Sequence, residues 1–96
     1  MDTLNDIRTA IIRNKQRLLA DYPIKSLAIF GSFARNDNQD KSDVDIIVEF
    51  NGKIGIRFID LADDLEKILG RKIDLVSRNG IKEKYFQSII NDLIYV

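Results

Sequence analysis

Cysteine, histidine and tryptophan are all missing from this 96-residue chain, and proline occurs once. Without cysteine there is no disulfide, no thiolate nucleophile and no sulfur ligand for zinc. Without histidine, a general base has to be a carboxylate, a lysine or a tyrosine, and any metal has to be held by oxygen. Fifteen basic residues balance fifteen acidic ones, so no global positive field draws the protein to nucleic acid, and strong nucleic-acid binding is not expected. No membrane-length apolar run and no signal-peptide pattern occur, so a cytoplasmic protein with no membrane partner is the expectation. What is present is 45% apolar content, enough for one core, and the chain reads as a single domain, 1–96.

The stretch Leu27 to Phe50 organises the rest. Leu27 to Phe30 is a short apolar run that stops at Gly31, as a buried strand does. Ser32 then opens one or two turns of helix, where N–H groups lacking partners attract anions, phosphate above all. A polar loop follows, then Ser42-Asp43-Val44-Asp45 and a second strand in which Val44, Ile46, Val48 and Phe50 alternate with Asp45, Ile47 and Glu49. Asp43 and Asp45 are two apart, so they point to one side with Cα atoms roughly 7 Å apart, near enough to share one divalent cation. A phosphate cradle beside a carboxylate pair is the layout of a magnesium-dependent nucleotide site. Glu49 lies roughly 13 Å farther along the strand and reads as surface. The bland reading makes Asn36 to Asp45 a solvated acidic turn.

Gly31-Ser32, ten residues, then Asp43-Val44-Asp45 resembles the signature of the DNA polymerase β nucleotidyltransferase superfamily. Within it the chain is similar to the minimal nucleotidyltransferases, which form the antitoxin half of pairs with a HEPN-domain toxin. The resemblance implies an α/β (α+β) polymerase-β-like core, with a small mixed three-stranded sheet and flanking helices in the order helix–strand–short helix–strand–helix–strand–helix. It implies that Gly31 and Ser32 hold the β- and γ-phosphates of ATP, assisted by Arg35 and Ser42. Asp43, Asp45 and Asp74 would be the catalytic acids and ligands of a two-ion magnesium site, with Asp74 as base toward the attacking hydroxyl. Arg35 has a rival role, tying the polar loop to the sheet. Family members often carry glycine after the arginine; here Asn36 stands there, and asparagine tolerates left-handed backbone angles. A Walker-type loop is excluded, because no Gly-Lys-Ser/Thr follows the turn.

Around that centre, Thr3 to about Ala20 reads as an amphipathic helix capped by Thr3 and Asp6, with Leu4, Ile7, Ile11, Leu18 and Leu19 as its apolar stripe. Arg8, Arg13, Lys15 and Arg17 read as its solvated face. Tyr22-Pro23 ends it, and the first strand runs from about Ile24 to Phe30. Ile56 to Leu69 is the clearest helix, with Phe58, Leu61, Ala62, Leu65, Ile68 and Leu69 inward. Its Asp60, Asp63, Asp64 and Glu66 read as solvated, and Gly70 as its cap. Lys72 to Val76 reads as a third strand, with Ile73 and Leu75 on one face and Asp74 on the other. A lone acid in an apolar strand is costly to bury unless paired or bound to a cation; the alternative is an edge-strand acid facing water or an arginine. Ile81 to about Asp92 reads as a last helix with Tyr85, Phe86, Ile89 and Ile90 inward. Leu93 to Val96 is either a short strand or a helix end.

No stretch reads as an acceptor-binding domain, so the acceptor is expected to be another protein. By the resemblance that partner is a HEPN toxin, inactivated by adenylyl transfer onto a tyrosine, by tight binding, or by both. The alternative is a non-catalytic antitoxin that neutralises its partner by complex formation alone; three convergent acids argue for chemistry. Transfer to a small molecule or an RNA end ranks below both.

Overall fold

The computed structural model describes residues 3–96. Its elements are α1 (Leu4–Asp21), β1 (Ile24–Phe30), α2 (Gly31–Arg35), β2 (Val44–Phe50), α3 (Arg57–Leu69), β3 (Ile73–Ser77), α4 (Glu83–Ile89) and β4 (Ile94–Tyr95), with 3-10 turns at Arg78–Gly80 and Ile90–Asp92. The Thr3 side chain accepts from the Asp6 N–H at 3.2 Å and starts α1. Tyr22, in extended conformation ahead of Pro23, ends it. Asn36 closes α2 at φ 63°, and Gly70 closes α3 at φ 65°, the left-handed positions expected of each.

The sheet is mixed, in the order β3-β2-β1-β4. β1 is antiparallel to β2 and β4, while β2 and β3 run parallel, which requires the α3 crossover between them. The sheet therefore has four strands, one more than the sequence suggested. Ile94 and Tyr95 pair with Ile29 and Ala28 of β1; a two-residue strand leaves too short a pattern to read. The last helix is also shorter than Ile81 to Asp92, because the chain tightens into a 3-10 turn at Ile90–Asp92 on its way to that pairing.

α1 and α3 cover one face of the sheet and build the main core: Ile7, Ile11 and Leu18 from α1, Leu61, Leu65 and Leu69 from α3, and Val44, Ile46 and Val48 from β2. α4 covers part of the other face, where Ala28, Phe30, Ile47 and Ile89 form a smaller cluster. Three expected inward residues point out: Leu19 is 44% exposed, Tyr85 47% and Ile90 41%. Leu19 lies about 100° around the helix from Leu18 and so falls off the buried stripe. Two of the α3 acids also have partners. Asp64 accepts from the Tyr22 hydroxyl at 2.8 Å and from Arg17 at 3.3 Å, and Glu66 accepts from the Ile73 N–H at 3.2 Å.

Candidate active site

β1 delivers the chain to Gly31, and β2 brings Asp45 back beside it, since Phe30 and Asp45 are partners in the antiparallel ladder. Gly31 has φ +74°, and a β-carbon placed there would lie 2.0 Å from Asp45 Oδ2 and 2.9 Å from its Cγ. Glycine is thus required twice at this position, once for the backbone angle and once for the room the carboxylate occupies.

The parallel register then sets Asp74 opposite Asp45, between the pairs Val44↔Ile73 and Ile46↔Leu75. Those flanking residues turn into the main core, so by strand alternation both carboxylates emerge on the opposite face. Asp43 lies just outside the ladder. Asp45 is half-buried, whereas Asp43 and Asp74 are exposed. Burial raises the Asp45 pKa above the ordinary aspartate value, and the nearby charges of Asp74 and then Asp43 push it the same way, against the opposing pull of Arg35. All three acids, with Arg35, are therefore close enough to share one electrostatic environment.

Among the described residues, no group of three or more acidic side chains stands ready to cage a metal ion. The donor chemistry nevertheless fits magnesium. In a chain without histidine or cysteine, the site offers carboxylate oxygens, the hard donors that such a cation prefers. Repulsion at the half-buried Asp45 is what a cation would relieve.

The remaining expected residues lie at the rim. Ser32 is half-buried at the start of α2. Arg35 donates through Nε to Asp37 at 3.2 Å and lies 3.7 Å from Asp92, so it ties both the polar loop and the turn before β4. The Ser42 hydroxyl accepts from the Gln39 N–H at 2.9 Å, while the Ser42 N–H donates to the Gln39 carbonyl at 3.0 Å; together they fold the loop into a compact turn. Sequence reasoning passed over Arg71, whose guanidinium donates to the Asp40 carbonyl at 2.9 Å and lies 5.0 Å over the Phe33 ring. An isolated arginine after Gly70 gave no sign of it.

A glycine turn thus seats one aspartate, and parallel pairing sets a second opposite it. The profile of the nucleotidyltransferase domain matches residues 11–95, and the chain belongs to that family. Its similarity extends to small whole-chain relatives. A Methanocaldococcus jannaschii protein named "putative protein adenylyltransferase" is 45% identical over 98 residues, with 100% of both chains covered. The protein adenylyltransferase MntA of Thermococcus cleftensis is 31% identical over 97 residues, covering 100% of this chain and 98% of that one. A solved toxin–antitoxin with AMP-PNP shares the fold, with a TM-score of 0.71 at 23% identity over 86% of this chain and 69% of that one. The chain is a nucleotidyltransferase.

Proposed function

We propose that this nucleotidyltransferase moves the AMP of ATP onto a hydroxyl, a tyrosine of a HEPN-domain toxin, and so acts as a cytoplasmic antitoxin. The observation that most supports chemistry at this site is the register that sets Asp74 against Asp45 beside Gly31. The acceptor class is supported by the adenylyltransferase relatives, and the antitoxin role by the toxin–antitoxin of like fold with AMP-PNP.

In this reading Asp43, Asp45 and Asp74 are the residues that hold magnesium. When bound, it would supply positive charge to offset that of the triphosphate. Gly31 and Ser32 take the β- and γ-phosphates, Ser42 assists from the loop, and Arg35 exchanges its tie to Asp37 and Asp92 for the phosphate chain. Asp74 accepts the proton of the acceptor hydroxyl. That oxygen bonds to the α-phosphorus as the α–β anhydride breaks and pyrophosphate leaves. Neutralisation by binding alone is the second reading; Ile12, Ile56 and Ile59, exposed at 53, 86 and 64%, favour a partner surface of some kind.

Intact-protein mass spectrometry of the co-purified partner, after incubation with magnesium and ATP, separates the two readings. Adenylyl mass should appear on the partner with the wild type and be absent with Asp74→Asn, which should still co-elute with it. A complex that forms while the wild type adds no mass would give the binding reading the field.

A further inference from the structure

Of the three acids, the sheet holds two. Asp45 and Asp74 face each other inside the β2–β3 ladder, but that ladder begins at Val44↔Ile73 and leaves Asp43 on the loop. Two ties join this loop to the turn that precedes β3. Arg71 Nη2 donates to the Asp40 carbonyl at 2.9 Å, and the Val44 N–H donates to the Lys72 carbonyl at 3.1 Å. Lys41, Ser42 and Asp43 are bracketed between them. The Arg71 guanidinium also lies 5.0 Å over Phe33, a fully buried ring on α2. One side chain thus joins α2, the acid-bearing loop and the entry to β3. Among the described residues its buried Nη1 has no hydrogen-bond partner, and an unmet buried donor is a cost to folding, so stability alone is a weak reason for a guanidinium here.

We propose that Arg71 is a positioning residue: by clamping the Asp40 carbonyl it fixes Lys41–Asp43 so that the Asp43 carboxylate can join an ion held by Asp45 and Asp74. The inference rests on the metal-site reading above and adds to it the residue that compensates for the missing ladder partner of Asp43. A planar fork suits the task because it can stack on a ring and donate sideways at once, which an ammonium does less well.

Arg71→Met keeps the stem against Phe33 and removes the donors; Arg71→Lys returns one donor. Two readouts are needed, amide hydrogen exchange residue by residue and manganese affinity in the presence of ATP, followed by water-proton relaxation. With Arg71→Met, exchange at Lys41–Asp43 should quicken and manganese affinity should fall, each by about tenfold, in the range usual for groups that orient a metal ligand. Exchange inside β2 and β3 should stay as in the wild type, and Arg71→Lys should recover part of both losses. Unchanged manganese affinity overturns the proposal, as does unchanged exchange in the loop. Faster exchange across the whole sheet would make Arg71 a general stabiliser and overturns it too. A wild type that binds manganese yet adenylylates nothing would sink the transfer reading, with the Arg71 question still decided by the affinities. A wild type that binds no manganese would sink the metal reading and the Arg71 proposal together.

Discussion

Replacing Gly31 by alanine tests the centre of the site in one substitution. At φ +74° an alanine is strained by about 1–2 kcal/mol. Its methyl group would also stand 2.0 Å from Asp45 Oδ2, where ordinary contact begins near 3.4 Å, so the carboxylate must retreat by about 1.4 Å. Crowding of that kind adds about 1–3 kcal/mol, which puts the expected loss at about 2–5 kcal/mol in all. Gly70→Ala is the control, because Gly70 has φ +65° but nothing within 4 Å of the added methyl. It should show the backbone strain alone, about 1–2 kcal/mol. Urea denaturation gives both values, and the difference between them isolates the contact with Asp45. In an Asp45→Ala background the Oδ2 and Cγ contacts are gone, so the Gly31→Ala penalty should fall toward that of Gly70→Ala. Transfer should separate the two variants as well. A misplacement beyond 1 Å at a reacting centre costs about 100-fold, so Gly31→Ala should lose at least that much, while Gly70→Ala stays near the wild type. Equal stability losses for the two glycines, with no coupling to Asp45, would refute the seating of the carboxylate over Gly31.

The metal-free protein should lose stability as pH rises through the raised Asp45 pKa, because the folded state resists ionisation more than the unfolded chain does. Asp45→Asn removes that loss, so its metal-free melting temperature at neutral pH should equal or exceed that of the wild type; a strongly lowered value would make the carboxylate a structural acceptor instead. Magnesium with ATP at a hundredfold excess over the dissociation constant should stabilise the wild type by about 2.7 kcal/mol, and Asp45→Asn should lose most of that increment in the same melts. Burial, and then the bond to Asp64, push the Tyr22 hydroxyl pKa up to about 12. Ultraviolet titration should therefore show one tyrosine ionising late and stability falling as pH climbs from about 10 toward 12. Tyr22→Phe should abolish the late step and cost about 1.5–3 kcal/mol, the range for a bond to a charged acceptor.

How much of this could be read from the chain depended on whether a signal was local. β1 matches its expected limits, Ile24 to Phe30, because an apolar run between Pro23 and Gly31 has clear ends. Thr3 and Gly70 were legible as caps, and Asn36 as a residue suited to left-handed angles, because such features are decided within a few residues. Ile47 and Phe30 were harder to place: the face that carries Asp45 looked the less apolar of the two, yet part of it is closed by α4 through Ile89, a contact more than 40 residues away in sequence. Asp64 passed as a solvated acid because its partners, Tyr22 and Arg17, lie on the far side of β1 and β2 in the chain. β4 could only be left open between a short strand and a helix end, since a two-residue strand exists only by virtue of the neighbour it pairs with. The acids of the site stood out as a motif, whereas Arg71 did not, because its importance lies entirely in what it reaches.

The parallel pairing of β2 and β3 also bears on how the chain avoids misassembly. A strand that slips by one residue sends every side chain to the opposite face. For β3 a slip would drive Asp74 into the layer formed by Val44 and Ile46, beneath α1 and α3, and turn Ile73 and Leu75 outward. An unpaired carboxylate in that layer would be expensive enough to empty the misaligned state. The same acid that the transfer reaction would use as its base thus marks the correct alignment of the two strands, and an apolar replacement there would remove a safeguard of assembly along with the chemistry.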